Sequence, residues 1–191
     1  MFNVPTWRYE TIMLYHAHSG TLSDKSDWQP LSDHLFSVAE LARRFAEPIG
    51  LQGHARIAGL LHDLGKYNAL FQRRLSGDNI RIDHSTAGAW VLMQEAKGDR
   101  RVWAELIAYA ILGHHAGLPD KHNEFGHCFE RRIDEFKDQI DPVWKDEFPL
   151  DLSALDAPEV LKRIDRNHVG FDFALITRML FSCLVDADYK D

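Results

Sequence analysis

Residues 58–71 read AGLLHDLGKYNALF. Two chemically reactive side chains, His62 and Asp63, stand next to each other directly after Ala58, Gly59, Leu60 and Leu61. An apolar run at helical spacing belongs in a helical core. A carboxylate buried there without a counter-charge or hydrogen bonds costs several kcal/mol. Some other part of the chain, or something bound to it, must therefore compensate Asp63.

The surroundings predict a helical domain. Residues 30–50, PLSDHLFSVAELARRFAEPIG, open with Pro30 and a Ser32 or Asp33 cap, place Leu35, Val38, Ala39, Ala42, Phe45 and Ala46 at helical spacing, and stop at Pro48 and Gly50. Residues 51–77 carry a second apolar period, which Gly65 is expected to bend or break just after the His-Asp pair. Further helices are predicted over 83–98, capped by Ser85 or Thr86, within 101–120, apolar until Gly113 and turning at Gly117 and Pro119, over 124–140 and over 170–191. The proline-containing stretch 141–160 reads as a connector. No alternating strand pattern, repeat or low-complexity tract is evident. The expectation is one all-α domain spanning 1–191, with its motif core at about 15–188.

Composition narrows the class. A chain of 191 residues with 45% hydrophobic residues supports a real core. No uncharged apolar run approaches about 18 residues, so no membrane span is expected. The N-terminal sequence has no signal-peptide pattern, and Cys128 and Cys183 are the only cysteines, which points to a reducing cytoplasm. The net charge of −7 argues against nucleic-acid binding through a broad basic face. Much of the acidity lies in residues 130–165, with 11 acidic and 6 basic side chains. A phosphate-cradling GxxxxGK[ST] loop is absent.

Five histidines and two aspartates sit in or at the ends of the apolar stretches: His34, His62, Asp63, His84, His114, His115 and Asp186. Helices with apolar flanks pack together, and the polar side chains they carry must then meet each other or a partner. Imidazoles with carboxylates are a ligand set for divalent transition metals. Two such ions would outweigh the charge of Asp63 and Asp186, leaving a buried site suited to a phosphodiester. On a regular helix adjacent residues point about 100° apart, so His62 and Asp63 can share an ion only if one reaches sideways or Asp63 bridges two. Lys66, one turn on, can reach a non-bridging phosphate oxygen. The imidazole-rich set favours Mn, Co, Ni or Fe over Mg.

The order His…His-Asp…His…His-His…Asp, with Lys66 after Asp63, resembles the HD phosphohydrolase superfamily. HLFSVAELA, AGLLHDLGKYNALFQRRLSG, DHSTAGA, GHHAGLPD and SCLVDADY look like the HD nuclease domain of the type I CRISPR-associated helicase-nuclease. The resemblance implies one ion on His34, His62, Asp63 and Asp186, and a second on Asp63, His84, His114 and His115. It implies two-metal activation of a water, with Asp63 and Lys66 as catalytic groups and His18 and Ser19, in YHAHSG, lining the substrate path. The implied substrate is single-stranded DNA, cut endonucleolytically and 3′ to 5′. The implied partners are a helicase, separate or in a missing C-terminal part, and the RNA-guided surveillance complex. The alternatives are an HD phosphohydrolase acting on nucleotides or cyclic nucleotides, and a non-catalytic module that binds a partner. The remaining histidines, His16, His54, His122, His127 and His168, read as surface or structural.

Overall fold

The computed structural model describes residues 14–137, 139–148, 150–158 and 168–191; the rest of the expected domain and parts of the 141–160 connector lie outside it. Among the described residues the chain forms α1 (Leu31–Ala46), α2 (Gln52–Leu61), α3 (Ala69–Leu75), α4 (Thr86–Glu95), α5 (Arg100–Gly113), α6 (Phe129–Asp134), α7 (Trp144–Glu147) and α8 (Val169–Lys190). Short 3-10 turns lie at Glu47–Ile49, Leu64–Tyr67 and Leu152–Leu155. The all-α architecture follows the apolar periodicity. In α1, for example, Leu31, Leu35, Val38, Ala39, Ala42 and Ala46 form one buried stripe.

A short β ribbon among the described residues has no counterpart in the sequence pattern. Strands β1 (His16–His18) and β2 (Gln29–Pro30) pair antiparallel with an irregular register. This ribbon also replaces the expected cap of α1. Neither Ser32 nor Asp33 caps the helix; α1 begins at Leu31, whose N–H donates to the Tyr15 carbonyl at 2.8 Å. The strand backbone thereby satisfies one of the free N–H groups of the first turn.

The stretch 51–77 divides into α2, a 3-10 turn and α3, and the break falls at His62 and Asp63 rather than at Gly65. His62 keeps helical angles, whereas Asp63 leaves them at φ −111° and ψ 20°. Asn68 then caps α3 by accepting from Leu70 N–H at 2.7 Å. Every residue from Ile57 to Asn68 is buried.

Helix α2 is central. It packs against α1, α5 and α8, while α4 lies on α5 and reaches α2. Leu35, Val38, Ala58, Leu61, Ile107, Ile111 and Leu184 are fully buried at this junction. Each of the larger ones contributes about 1.5–3 kcal/mol on burial. Two glycines permit the close packing: a Cβ at Gly59 would lie 2.5 Å from Ala39 Cα, and one at Gly88 would lie 1.8 Å from the Leu61 carbonyl oxygen. Cys128 and Cys183 are buried and unbridged. No helix among the described residues is long and apolar enough to cross a membrane.

Gly88 faces backbone that cannot swing away, so Gly88→Ala is expected to destabilise the fold by about 1–3 kcal/mol through overpacking. Urea denaturation of the variant against wild type checks this. The helix-propensity gain of alanine alone predicts the opposite sign.

Candidate metal centre

Four segments bring their polar side chains to the end of α2. The departure of Asp63 from helical geometry removes the 100° separation, and its Oδ2 lies 3.4 Å from His62 Nε2. Helix α1 supplies His34, with Nε2 3.4 Å from the same Oδ2. The 84 loop is drawn in by the Gly65 N–H, which donates to the His84 carbonyl at 3.1 Å. A Cβ at Gly65 would lie 2.3 Å from that oxygen, so the glycine serves this approach and not the helix break expected of it. Helix α5 ends at Gly113, and Gly117, at φ 91°, closes the turn that follows His114 and His115.

The result is two clusters sharing Asp63: His34, His62, Asp63 and Asp188 in one, and Asp63, His84, His114 and His115 in the other, with the ligand atoms of each within 4.8 Å of one another. The structure thus brings together six of the seven expected ligands. The seventh is corrected. Asp186 is exposed on α8, and Asp188 is the aspartate of the first cluster, its Oδ1 3.4 Å from His62 Nε2 and 3.6 Å from His34 Nε2. Leu180 and Leu184 set the buried face of α8, and Asp188 continues it at four-residue spacing. Counting that period from Leu184 would have selected Asp188.

Hydrogen bonds behind the rings fix which nitrogen faces the clusters. His62 Nδ1 donates to the Gly59 carbonyl at 2.7 Å, and His114 Nδ1 donates to the Ile111 carbonyl at 2.6 Å. A carbonyl can only accept, so both rings carry the proton on Nδ1 and present Nε2. His34 Nδ1 is likewise engaged, 2.7 Å from Asp191 Oδ2. The Nε2 atoms of His34 and His62 face each other at 3.2 Å. Two lone pairs that close require a cation between them, either a proton or a metal. Asp63 Oδ1 and His114 Nε2, 3.5 Å apart, are buried with no hydrogen-bond partner among the described residues. Converging unpaired donor atoms of nitrogen and oxygen fit divalent transition metals.

The electrostatics agree. Burial works against ionised Asp63, but His62 and the Lys66 ammonium hold its carboxyl well below the usual range. Burial alone would lower His62, and the Asp63 and Asp188 carboxylates outweigh it and raise the imidazole to about 10. The same carboxylates that attract that proton attract a divalent ion. His84 is lowered to about 4 by burial, so it is a neutral ligand near pH 7.

Lys66 is 4% exposed, and its Nζ lies 2.5 Å from Asp63 Oδ2 and 3.1 Å from the Ala17 carbonyl it donates to. It is a charge partner of the shared ligand, which the sequence had not suggested. His18 stands at the rim with its ring centroid 5.0 Å from that of His34, and exposed Ser19 lies outside both clusters. His16 and His54 are buried away from the clusters, while His122 and His127 are exposed. Arg132 is a further unforeseen element. It donates to Asp83, Ser85 and Thr86 at the start of α4 and to the Leu112 carbonyl in α5, tying together the segments that bear His84 and His114. Asp83, rather than Ser85 or Thr86, caps α4 by accepting from both their N–H groups.

The profile of the HD domain family matches residues 31–166. The chain belongs to the HD domain family, the class of metal-dependent phosphohydrolases that bind divalent metals. No curated protein matches the chain. Asp188 lies beyond the matched span, so the first cluster is completed by α8.

Metal binding must displace the proton that His62 carries. Calorimetry of Mn2+ binding in buffers of different ionisation enthalpy is expected to show proton release, with affinity rising up to tenfold per pH unit between about pH 7 and 9. The sign follows from His62: below its raised value of about 10 the site is protonated, and raising the pH removes the competitor. Separately, Lys66→Met leaves buried Asp63 without its ammonium. It is expected to lower stability by about 3 kcal/mol in chelator, with Mn2+ restoring most of the loss in urea denaturation.

Proposed function

We propose that this HD domain is a nuclease that cuts single-stranded DNA, internally and 3′ to 5′, in type I CRISPR interference within the cytoplasm. The observation that carries the reading is the pair of sequence elements HDLGKY…FQ and DHSTAGA, whose residues meet in the structure: Asp63 faces His84, while Gln72 of the first element bridges β1 and the Lys66 carbonyl. An open rim supports a polymeric substrate, since His18 and His115 are exposed beside the clusters. The buried free cysteines accord with a reducing compartment.

The clusters would hold divalent ions through His34, His62, Asp63 and Asp188 and through Asp63, His84, His114 and His115. Such ions supply Lewis acidity toward a phosphate and an activated water. The protein's own contribution is placement. The carbonyls of Gly59 and Ile111 fix the rings, the apolar residues Leu60, Leu61 and Leu64 keep the turn rigid and dry, and Lys66 stabilises the Asp63 carboxylate. An ammonium has three N–H groups; two are engaged by Asp63 and Ala17, and the third would serve a non-bridging phosphate oxygen. Sequence specificity is not built into this arrangement. With a chain charge of −7, delivery of the strand falls to a helicase and an RNA-guided complex.

The test is an assay of the purified chain with Mn2+ or Ni2+ on single-stranded DNA, duplex DNA, nucleoside triphosphates and cyclic nucleotides. Expected are internal cuts and shortening from the 3′ end in single-stranded DNA, lost in chelator and reduced at least about 10³-fold in Asp63→Asn. Intact DNA with consumption of a nucleotide would overturn the nuclease reading and leave a nucleotide phosphohydrolase.

A further inference from the structure

Among the cluster histidines, His34 is held from behind by a carboxylate. Its Nδ1 lies 2.7 Å from Asp191 Oδ2. That oxygen also accepts from Gln29 Nε2 at 2.7 Å, and the Ser37 hydroxyl bonds the same carboxylate. The Asp191 side chain is only 7% exposed, and its backbone N–H donates to the Ala187 carbonyl at the end of α8. One turn of α8 therefore carries both a cluster member, Asp188, and the group behind another member, His34.

The second cluster is supported differently. His84 Nδ1 is buried without a partner, and His84 Nε2 lies 2.8 Å from His115 Nε2, ring against ring. Among the described residues, nothing behind His84 fixes its tautomer. A carboxylate behind a ligating imidazole fixes the ring's orientation and makes it a better donor, and removing such a partner typically weakens metal affinity 10–100-fold.

We propose that Asp191 is a positioning residue: it holds His34 in the Nδ1–H tautomer with the Nε2 lone pair on the cluster, and so makes His34, His62, Asp63 and Asp188 the cluster with the stronger hold on a divalent cation. The inference rests on the metal-centre reading and is independent of whether DNA is the substrate.

The test uses the full chain, stripped with chelator and titrated with Mn2+ by calorimetry in the absence of substrate. Wild type is expected to show a tight class of site, weakened about 10–100-fold in Asp191→Ala and largely recovered in Asp191→Asn, which keeps an acceptor for the His34 N–H. Circular dichroism and thermal melting of the stripped variants establish that they are folded. Nitrogen–proton correlation spectra of the Zn2+-loaded protein supply a readout that a merely structural role would not move. His34 is expected as the Nδ1–H tautomer in wild type and Asn, with that signal lost in Ala. Wild-type affinity in a folded Asp191→Ala protein overturns the role of Asp191 alone, as does an Nε2–H tautomer of His34 in wild type, which needs no variant. Absence of Mn2+ binding by wild type overturns the metal centre itself.

Discussion

Burial of the Asp63 carboxylate is the constraint around which this fold is organised. The residue is 1% exposed in the middle of an unbroken buried run, and burial favours its neutral form. The chain answers from several directions: the Lys66 ammonium from the same turn, and the imidazoles of His34 from α1, His84 from the loop before α4, and His114 from α5. Each approach demands something of the backbone. The helix must end at His62 for two neighbours to face one way, Gly65 must admit the 84 loop, and Gly88 must admit α4 against the Leu61 carbonyl. These close contacts serve packing and the site at once, because the end of α2 is both the centre of the core and the floor of the clusters.

The legibility of the sequence follows from this arrangement. Apolar periodicity exposes the helices because each buries one stripe. Imidazoles interrupting such stripes stand out because burial of a polar ring requires a partner. That is why His34, His62, His84, His114 and His115 were all readable. Asp186 is the first carboxylate after the apolar run, whereas the helical period from Leu184 turns Asp188 inward. The ribbon of β1 and β2 was invisible because its strands span only three and two residues and its role is to offer the Tyr15 carbonyl to α1. Asp83 took the capping place of Ser85 because its carboxylate also binds Arg132, a contact 49 positions away in the chain. Long-range partners of this kind leave no local pattern.

The correction also changes the charge balance. Asp63, Asp188 and Asp191 are three carboxylates around one ammonium, Lys66, where the sequence had suggested only two acids. With neutral imidazoles the group carries two negative charges, and one divalent cation merely cancels them. A site that is neutral overall has no long-range attraction for a phosphodiester, and the chain as a whole is acidic. Net positive charge at the site requires a second divalent cation. On the proposed reading that ion would fall to the cluster of His84 and His115, where His84 Nδ1 has no hydrogen-bond partner among the described residues and His115 is exposed at the rim. On the proposed reading, occupancy of that second cluster would be the step at which the site changes from cation trap to anion receptor. An anionic phosphate entering at the rim would in turn favour that occupancy, since each charge reduces the cost of the other.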